Sequence, residues 1–200
     1  MSRLLVATTN RGKVAELAPL LAGLGLQPVG LDAFPQLTPA VEDGLTLKDN
    51  AVLKARAAAA QSGLPTLADD SGLEVNALDG APGLRSARFA GEDADDASNN
   101  ALLLERLTGE HDRRAAFVCW LCLVRPGQPD LTLSGRCTGT ILDAPRGEGG
   151  FGYDPLFVPD APSASGRSFA QLSRDEKAGI SHRGLALAAL ADALGQEARA

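Results

Sequence analysis

Leu67–Val75 reads LADDSGLEV, an apolar, strand-like lead-in that runs directly into two adjacent carboxylates. A carboxylate carried on a buried strand is costly unless a cation or hydrogen-bond donors reach it, so the surrounding elements must deliver those partners. A strand alternates its side chains between two faces. Asp69 and Asp70, if extended, therefore point to opposite sides, and only one of them can stand at the centre of a given site. Oxygen donors of this kind suit hard cations such as Mg²⁺. The competing reading is a solvated Asp-Asp-Ser-Gly turn, built from common turn formers, with Gly72 letting the chain bend.

The chain has 200 residues, 44% hydrophobic and 22% charged, enough for one sizeable domain or two small lobes around a real core. Its 22 glycines and 12 prolines are dispersed and make no low-complexity tract. A formal charge of −6 argues against duplex nucleic acid or an anionic membrane as partner. It leaves room for a small anionic ligand at a locally cationic or metal-bearing site. The opening MSRLLVATT has too short an apolar run for a secretory signal, and no stretch approaches the roughly eighteen apolar residues of a membrane span, so a cytoplasmic protein is expected. Cys119 and Cys122 have CxxC spacing but sit in AAFVCWLCLV, which reads as a buried strand. Residues three apart on a strand face opposite ways, so these thiols and Cys137 are read as buried and structural.

Strands and helices alternate early. Arg3–Ala7 reads as a strand feeding the polar loop Thr8–Lys13, and Val14–Leu24 has helical spacing up to Gly25. Leu26–Val29 is a second candidate strand. Thr46 and Asp49 form a capping box ahead of an Ala-rich helix over Leu47–Ser62, stopped by Gly63 and Pro65. Thr66–Ala68 leads into the aspartates, and Leu73–Leu78 reads as extended. Ala97–Leu107 is helical. Arg114–Arg125 is a long β run, with Leu131–Leu142 as its hairpin partner. A Gly-rich loop, PRGEGGFGYD, precedes a brief strand at Pro155–Val158. Ser173 and Glu176 start one helix, and Ser181 caps the last, which runs to Gly195. A mixed α/β sheet follows from this order.

Three clusters could carry chemistry. The Thr8–Lys13 loop opens a helix, whose free N–H groups and positive dipole end make a natural anion seat with Lys13 as point charge. The alternative is an ordinary polar βα turn. Gly147–Gly152 formally matches GxGxxG, but Pro155 follows where the dinucleotide fingerprint needs a helix. Its glycines instead suit close backbone approach to a ligand, with Phe151 and Tyr153 available to stack on a flat ring; a plain flexible loop is the other reading. His182 and Arg183 beside the last helix start, with Lys177 nearby, form a donor-rich group suited to phosphate or carbonyl oxygens, or else an ordinary surface pair.

TTNRGK at 8–13, LADDSGLEV at 67–75, GAPGLRSARFAG at 80–91, GGFGYDPLF at 149–157 and SHRGLAL at 181–187 resemble, in order, the motifs of the inosine triphosphate pyrophosphatases of the Ham1 type, in their bacterial branch. The resemblance spans nearly the whole chain. It implies one domain over residues 1–200, an elongated mixed α/β sheet in two lobes with the site in a central cleft, and a homodimer. It implies hydrolysis of ITP, dITP and XTP to the monophosphate and pyrophosphate with Mg²⁺. Carried over by motif, Thr8, Thr9, Asn10, Arg11, Gly12 and Lys13 would bind the triphosphate, and Asp70 would be catalytic base and metal-linked carboxylate. Ser71 would touch substrate. Phe151, Gly152, Tyr153 and Asp154 would meet the base and sugar, and Lys177, His182 and Arg183 the purine and phosphates. Glu42, in VEDGLT, would be the second metal ligand. Family members often carry two adjacent glutamates there, and here the first position is Val41, with Asp43 as a substitute.

Overall fold

The computed structural model describes residues 3–197 and 199. In chain order the elements are β1 (Arg3–Val6), α1 (Arg11–Gly23), β2 (Gln27–Gly30), α2 (Leu47–Ser62), β3 (Thr66–Val75), α3 (Asp96–Arg106), β4 (Arg114–Val124), β5 (Leu131–Ile141), β6 (Phe157–Pro159), α4 (Arg174–Ile180) and α5 (His182–Glu197). The strands form a six-stranded mixed sheet in the order β2-β1-β3-β4-β5-β6. β1 is parallel to both β2 and β3, with Leu5 opposite Thr66 and Val6 opposite Leu67, while β6 runs antiparallel to β5. The mixed α/β sheet expected from the sequence is present, with β4 and β5 as neighbours.

The chain divides into two compact units: Met1–Asp70 with Cys119–Gly135 and Ala186–Ala200, and Ser71–Val118 with Arg136–Leu185. In the first unit the sheet is covered on both faces, and strand alternation sorts the side chains between them. Leu4 and Val6 pack with Leu17 and Leu21 of α1 and with Ala186, Leu187 and Leu190 of α5. Leu5 and Ala7 pack instead with Ala51, Ala55 and Ala58 of α2. β3 follows the same rule, Leu67 joining the first cluster and Ala68 the second. So do the thiols, Cys119 in one cluster and Cys122 in the other, so the CxxC spacing makes no joint site. All three cysteines are buried, and none of them forms a disulfide among the described residues. Burial, reinforced by Asp130, pushes the Cys122 thiol up to about 11.

α2 begins where the capping box puts it. The Thr46 Oγ accepts from the Asp49 N–H at 3.1 Å, and the Asp49 carboxylate accepts from the Thr46 N–H at 3.0 Å. The helix ends on Gly63 in the left-handed region, φ 69°. The second unit is built on Leu73, Val75, Leu103, Tyr153, Leu156 and the rings of Phe117, Phe157 and Phe169. Phe117 meets Phe157 edge-on at 4.8 Å between centroids.

At the aspartates the competing turn reading fails, and two further local expectations, at Leu73–Leu78 and at Tyr153, are corrected. No turn interrupts Asp69-Asp70-Ser71-Gly72: all four lie inside the continuous strand β3. The aspartates are held extended by cations described below, and Gly72 serves close approach rather than reversal. A Cβ there would sit 2.3 Å from the Gly83 carbonyl oxygen. The strand then stops at Val75, and Asn76–Leu78 is a single 3₁₀ turn instead of extended chain. The second correction concerns Tyr153, whose ring lies in the core with its hydroxyl donating to the Ser86 carbonyl at 2.9 Å. Its face is packed and not offered for stacking.

Candidate active site

Period-two alternation on β3 continues from Leu67 and Ala68 into the aspartates, and each meets the helix that covers its face. Asp69 faces α1, where its Oδ1 pairs with the Lys13 ammonium. Asp70 faces α2, where Lys54 Nζ donates to its Oδ1 at 2.7 Å. The same Lys54 ammonium donates to Glu42 Oε2 at 3.1 Å. One cation thus draws two carboxylates together. Burial raises the Asp70 carboxyl above its ordinary value, and the charge and hydrogen bond of Lys54 only partly oppose this. Lys54 itself is pulled down by burial, but the charge and hydrogen bond of Asp70, followed by Glu42, outweigh that and raise it overall. A carboxylate held in this state is suited to general-base work.

The Thr8–Lys13 segment is shorter as a loop than expected, because α1 already starts at Arg11. Asn10 is its N-cap: the Oδ1 accepts from the Lys13 N–H at 3.1 Å, while Thr8 Oγ1 accepts from the Asn10 N–H at 3.2 Å. Gly12 and Lys13 therefore lie in the first helical turn, at the positive dipole end. A cavity of about 680 Å³ opens here, lined by Thr8, Thr9, Arg11, Glu42, Lys54 and Phe34 among others. That size lies within the range of small-molecule sites.

The second unit gathers most of the remaining sequence-selected residues. Lys177 Nζ donates to Asp154 Oδ2 at 2.6 Å, and the same oxygen accepts from the Phe151 N–H at 2.9 Å. The Phe151 ring has the Lys177 ammonium 5.1 Å and the Arg183 guanidinium 5.8 Å from its centroid. Arg183, only 2% exposed, donates to Ser71 Oγ at 3.3 Å. His182 is buried and stacks on Phe117 at 4.7 Å with 11° between planes. The loop is pinned from α3, where Asp96 accepts from the Gly152 N–H at 2.6 Å and Asn100 donates to the Gly152 carbonyl at 2.9 Å. Gly150 must be glycine: its φ is +75°, and a Cβ would lie 2.0 Å from Asp154 Oδ2.

Which residues could hold a divalent cation follows from the donor set. Glu42 and Asp70 already converge on one positive charge, so they can share another. Among the described residues no three His, Cys, Asp or Glu side chains make a ready cage. A pair of carboxylates is a donor set for a hard divalent cation that completes its shell with water and substrate phosphates. Asp43, the substitute weighed for Glu42, is exposed, while Lys54 pairs with Glu42 and Asp70.

Sequence reasoning missed Lys54. Its signal was legible: Lys54 falls on the same face as Ala51, Ala55 and Ala58, a charge on an otherwise apolar stripe. It missed Asp96 and Asn100 as well, because a solvent-side Asp and Asn near a helix start look like capping residues.

Known proteins resemble this chain in sequence and in fold. The model of the Ham1 family matches residues 4–193. A protein of Exiguobacterium sp. named dITP/XTP pyrophosphatase is 54% identical over 92% of this chain and 93% of its own length. One of the same name from Geobacter sulfurreducens is 51% identical over 98% of both. The solved structure of the Staphylococcus aureus Ham1 protein superposes with a TM-score of 0.86 at 37% identity, covering 98% of this chain and 99% of that one. A HAM1 protein from Coxiella burnetii gives 0.86 at 41% identity over 98% and 100%. With a family model matched from the first strand into the last helix, and relatives above half identity along nearly their whole length, this chain belongs to the Ham1 family.

Proposed function

We infer that this protein hydrolyses the non-standard purine nucleoside triphosphates ITP, dITP and XTP to the nucleoside monophosphate and pyrophosphate. The observation that carries the reading is the Glu42–Lys54–Asp70 group beside the helix-capped Thr8–Lys13 seat, in a chain whose close relatives are named dITP/XTP pyrophosphatase. The groups of the first unit are suited to phosphates, and in the second unit the Phe151 ring and the cations around it are suited to a purine.

In this reading Asp70 accepts a proton from a water that attacks the α-phosphorus, and the bond to the bridging α–β oxygen breaks to release pyrophosphate. Lys13 seats the polyphosphate, and Lys54 neutralises phosphate charge as the leaving group departs. Glu42 and Asp70 would hold Mg²⁺, which when bound supplies further neutralisation of the polyphosphate. Phe151 offers a ring face to the base. Lys177, Arg183 and His182 present donors toward a 6-keto oxygen. Adenine carries an amino group there and would leave those donors unpaired in a buried setting, which is where discrimination arises. A homodimer and a cytoplasmic location complete the proposal, in keeping with a small nucleotide as substrate and with neither nucleic acid nor membrane as partner.

The test is pyrophosphate release from ITP, dITP, XTP, ATP and GTP, each with and without Mg²⁺. Specificity for the inosine and xanthosine nucleotides should exceed that for ATP by at least about tenfold. Comparable turnover of ATP would overturn the substrate assignment, and full activity without a divalent cation would overturn the role of Glu42.

A further inference from the structure

Asp69 has no part in the reaction above, yet it is an enclosed charge, 1% exposed, placed next in sequence to the proposed base. Its two oxygens meet two different elements. Oδ1 pairs with the ammonium of Lys13, which stands in the first turn of α1. Oδ2 accepts a hydrogen bond from the Cys119 thiol of β4, the Sγ lying at 2.9 Å. We propose that Cys119, Asp69 and Lys13 form a positioning chain in which the thiol fixes the Asp69 carboxylate and the carboxylate holds the Lys13 ammonium at the phosphate seat.

The physical case begins with the carboxylate. A buried carboxylate anchored at one oxygen can still turn about its last torsion, which is a broad and weakly defined one. A donor on the second oxygen fixes its plane and satisfies an acceptor that would otherwise be costly to bury. Lys13 benefits next. Its backbone N–H is already held by the Asn10 cap, so Asp69 supplies the second anchor, at the tip of a four-carbon stem. The cost of ordering that flexible side chain is then met in folding and not again when a polyphosphate arrives. Packing alone does not ask for sulfur here. Cys119 is fully buried among Leu4, Leu67, Leu121 and other aliphatic side chains, where any small apolar group would fill space. Only the S–H distinguishes it toward a carboxylate, and a thiol adds that donor without the polarity of a hydroxyl in an apolar cluster. Cys119 is thus a positioning residue for phosphate binding, acting through Asp69. This rests on the reading that Lys13 meets the triphosphate.

The experiment compares Cys119→Ala with Cys119→Ser for ITP hydrolysis, alongside inorganic tripolyphosphate binding and thermal unfolding. Cys119→Ala should raise KM for ITP and weaken tripolyphosphate roughly tenfold, the scale at which outer hydrogen-bond partners act on the groups they orient, with kcat little changed. Cys119→Ser keeps a donor and should restore both. An alanine variant with wild-type KM and tripolyphosphate affinity would overturn the chain, as would a folded serine variant as impaired as alanine. The Raman S–H stretch supplies a readout independent of activity and of whether the alanine variant folds. The Cys119 band should lie below those of Cys122 and Cys137, since donation to a carboxylate weakens the S–H bond; a band at the same position would remove the proposal. If the wild-type protein left ITP intact while this band was lowered, the proposed substrate would fall and the positioning chain would stand.

Discussion

Replacing Lys54 with Met removes the ammonium shared by Asp70 and Glu42 while keeping an unbranched stem. The Glu42 side chain is 40% exposed, so its share of the pairing is worth under about 1 kcal/mol. Asp70 is different: its side chain is 12% exposed and its partner lies at 2.7 Å, and stripping one partner from a buried pair costs about 3–5 kcal/mol. Protonation sets a ceiling. At pH 7 the carboxyl can escape as the neutral acid by climbing from its ordinary 3.8, at about 1.4 kcal/mol per unit, or roughly 4 kcal/mol in all. Burial already raises Asp70 in the wild type, so part of that cost is present before the mutation, and the expected loss lies below that ceiling. For a chain of this length each kcal/mol lost should lower the melting temperature by about 2–4 °C.

The sign of the pH dependence is fixed by the direction of the shift. A carboxyl whose folded value lies above its unfolded one destabilises the fold above the unfolded value, and the penalty fades as pH falls toward it. Lys54 is raised and stays charged throughout this range, so it contributes no slope. Calorimetry of metal-free wild type and Lys54→Met should therefore show the full loss near pH 8 and little of it near pH 4.5. The double variant Lys54→Met/Asp70→Asn, which buries no lone charge, should regain most of the stability. An equal drop at both pH values, or none near pH 8, would refute the reasoning.

Asp70→Asn preserves shape and removes the base; kcat should fall by about 10²–10⁴-fold in steady-state assays at saturating Mg²⁺, with a folded protein, and near-wild-type turnover would exclude Asp70 as base. Phe151→Leu removes a stacking face from a half-buried ring; KM for ITP should rise by an amount equivalent to about 1–3 kcal/mol with unfolding temperature unchanged, and an unaltered KM would assign the base to another surface.

Much of the scaffold is written locally. Thr46 and Asp49 mark the start of α2 because a capping box satisfies helix-end N–H groups with side chains three residues apart, and Ser173 with Glu176 marks α4 in the same way. The β4 run is legible because a long apolar, β-branched and aromatic stretch has few other homes. The opposed faces of Cys119 and Cys122, and of Asp69 and Asp70, follow from strand alternation alone. Family membership was legible because its motifs keep their order along the chain.

Tertiary structure decided the rest, because the deciding partners are remote in sequence. Asp-Asp-Ser-Gly has turn chemistry, and it stays extended because Lys13, Lys54, Arg183 and the Gly83 backbone come to meet it from other elements. Tyr153 looks like a stacking surface in its loop, and its burial depends on the Ser86 carbonyl and the core of its unit. Which lysine serves which aspartate was likewise open in the sequence. Alternation says that the two carboxylates diverge; only the placement of α1 on one face and α2 on the other gives Asp69 to Lys13 and leaves Asp70 beside Lys54 and Glu42.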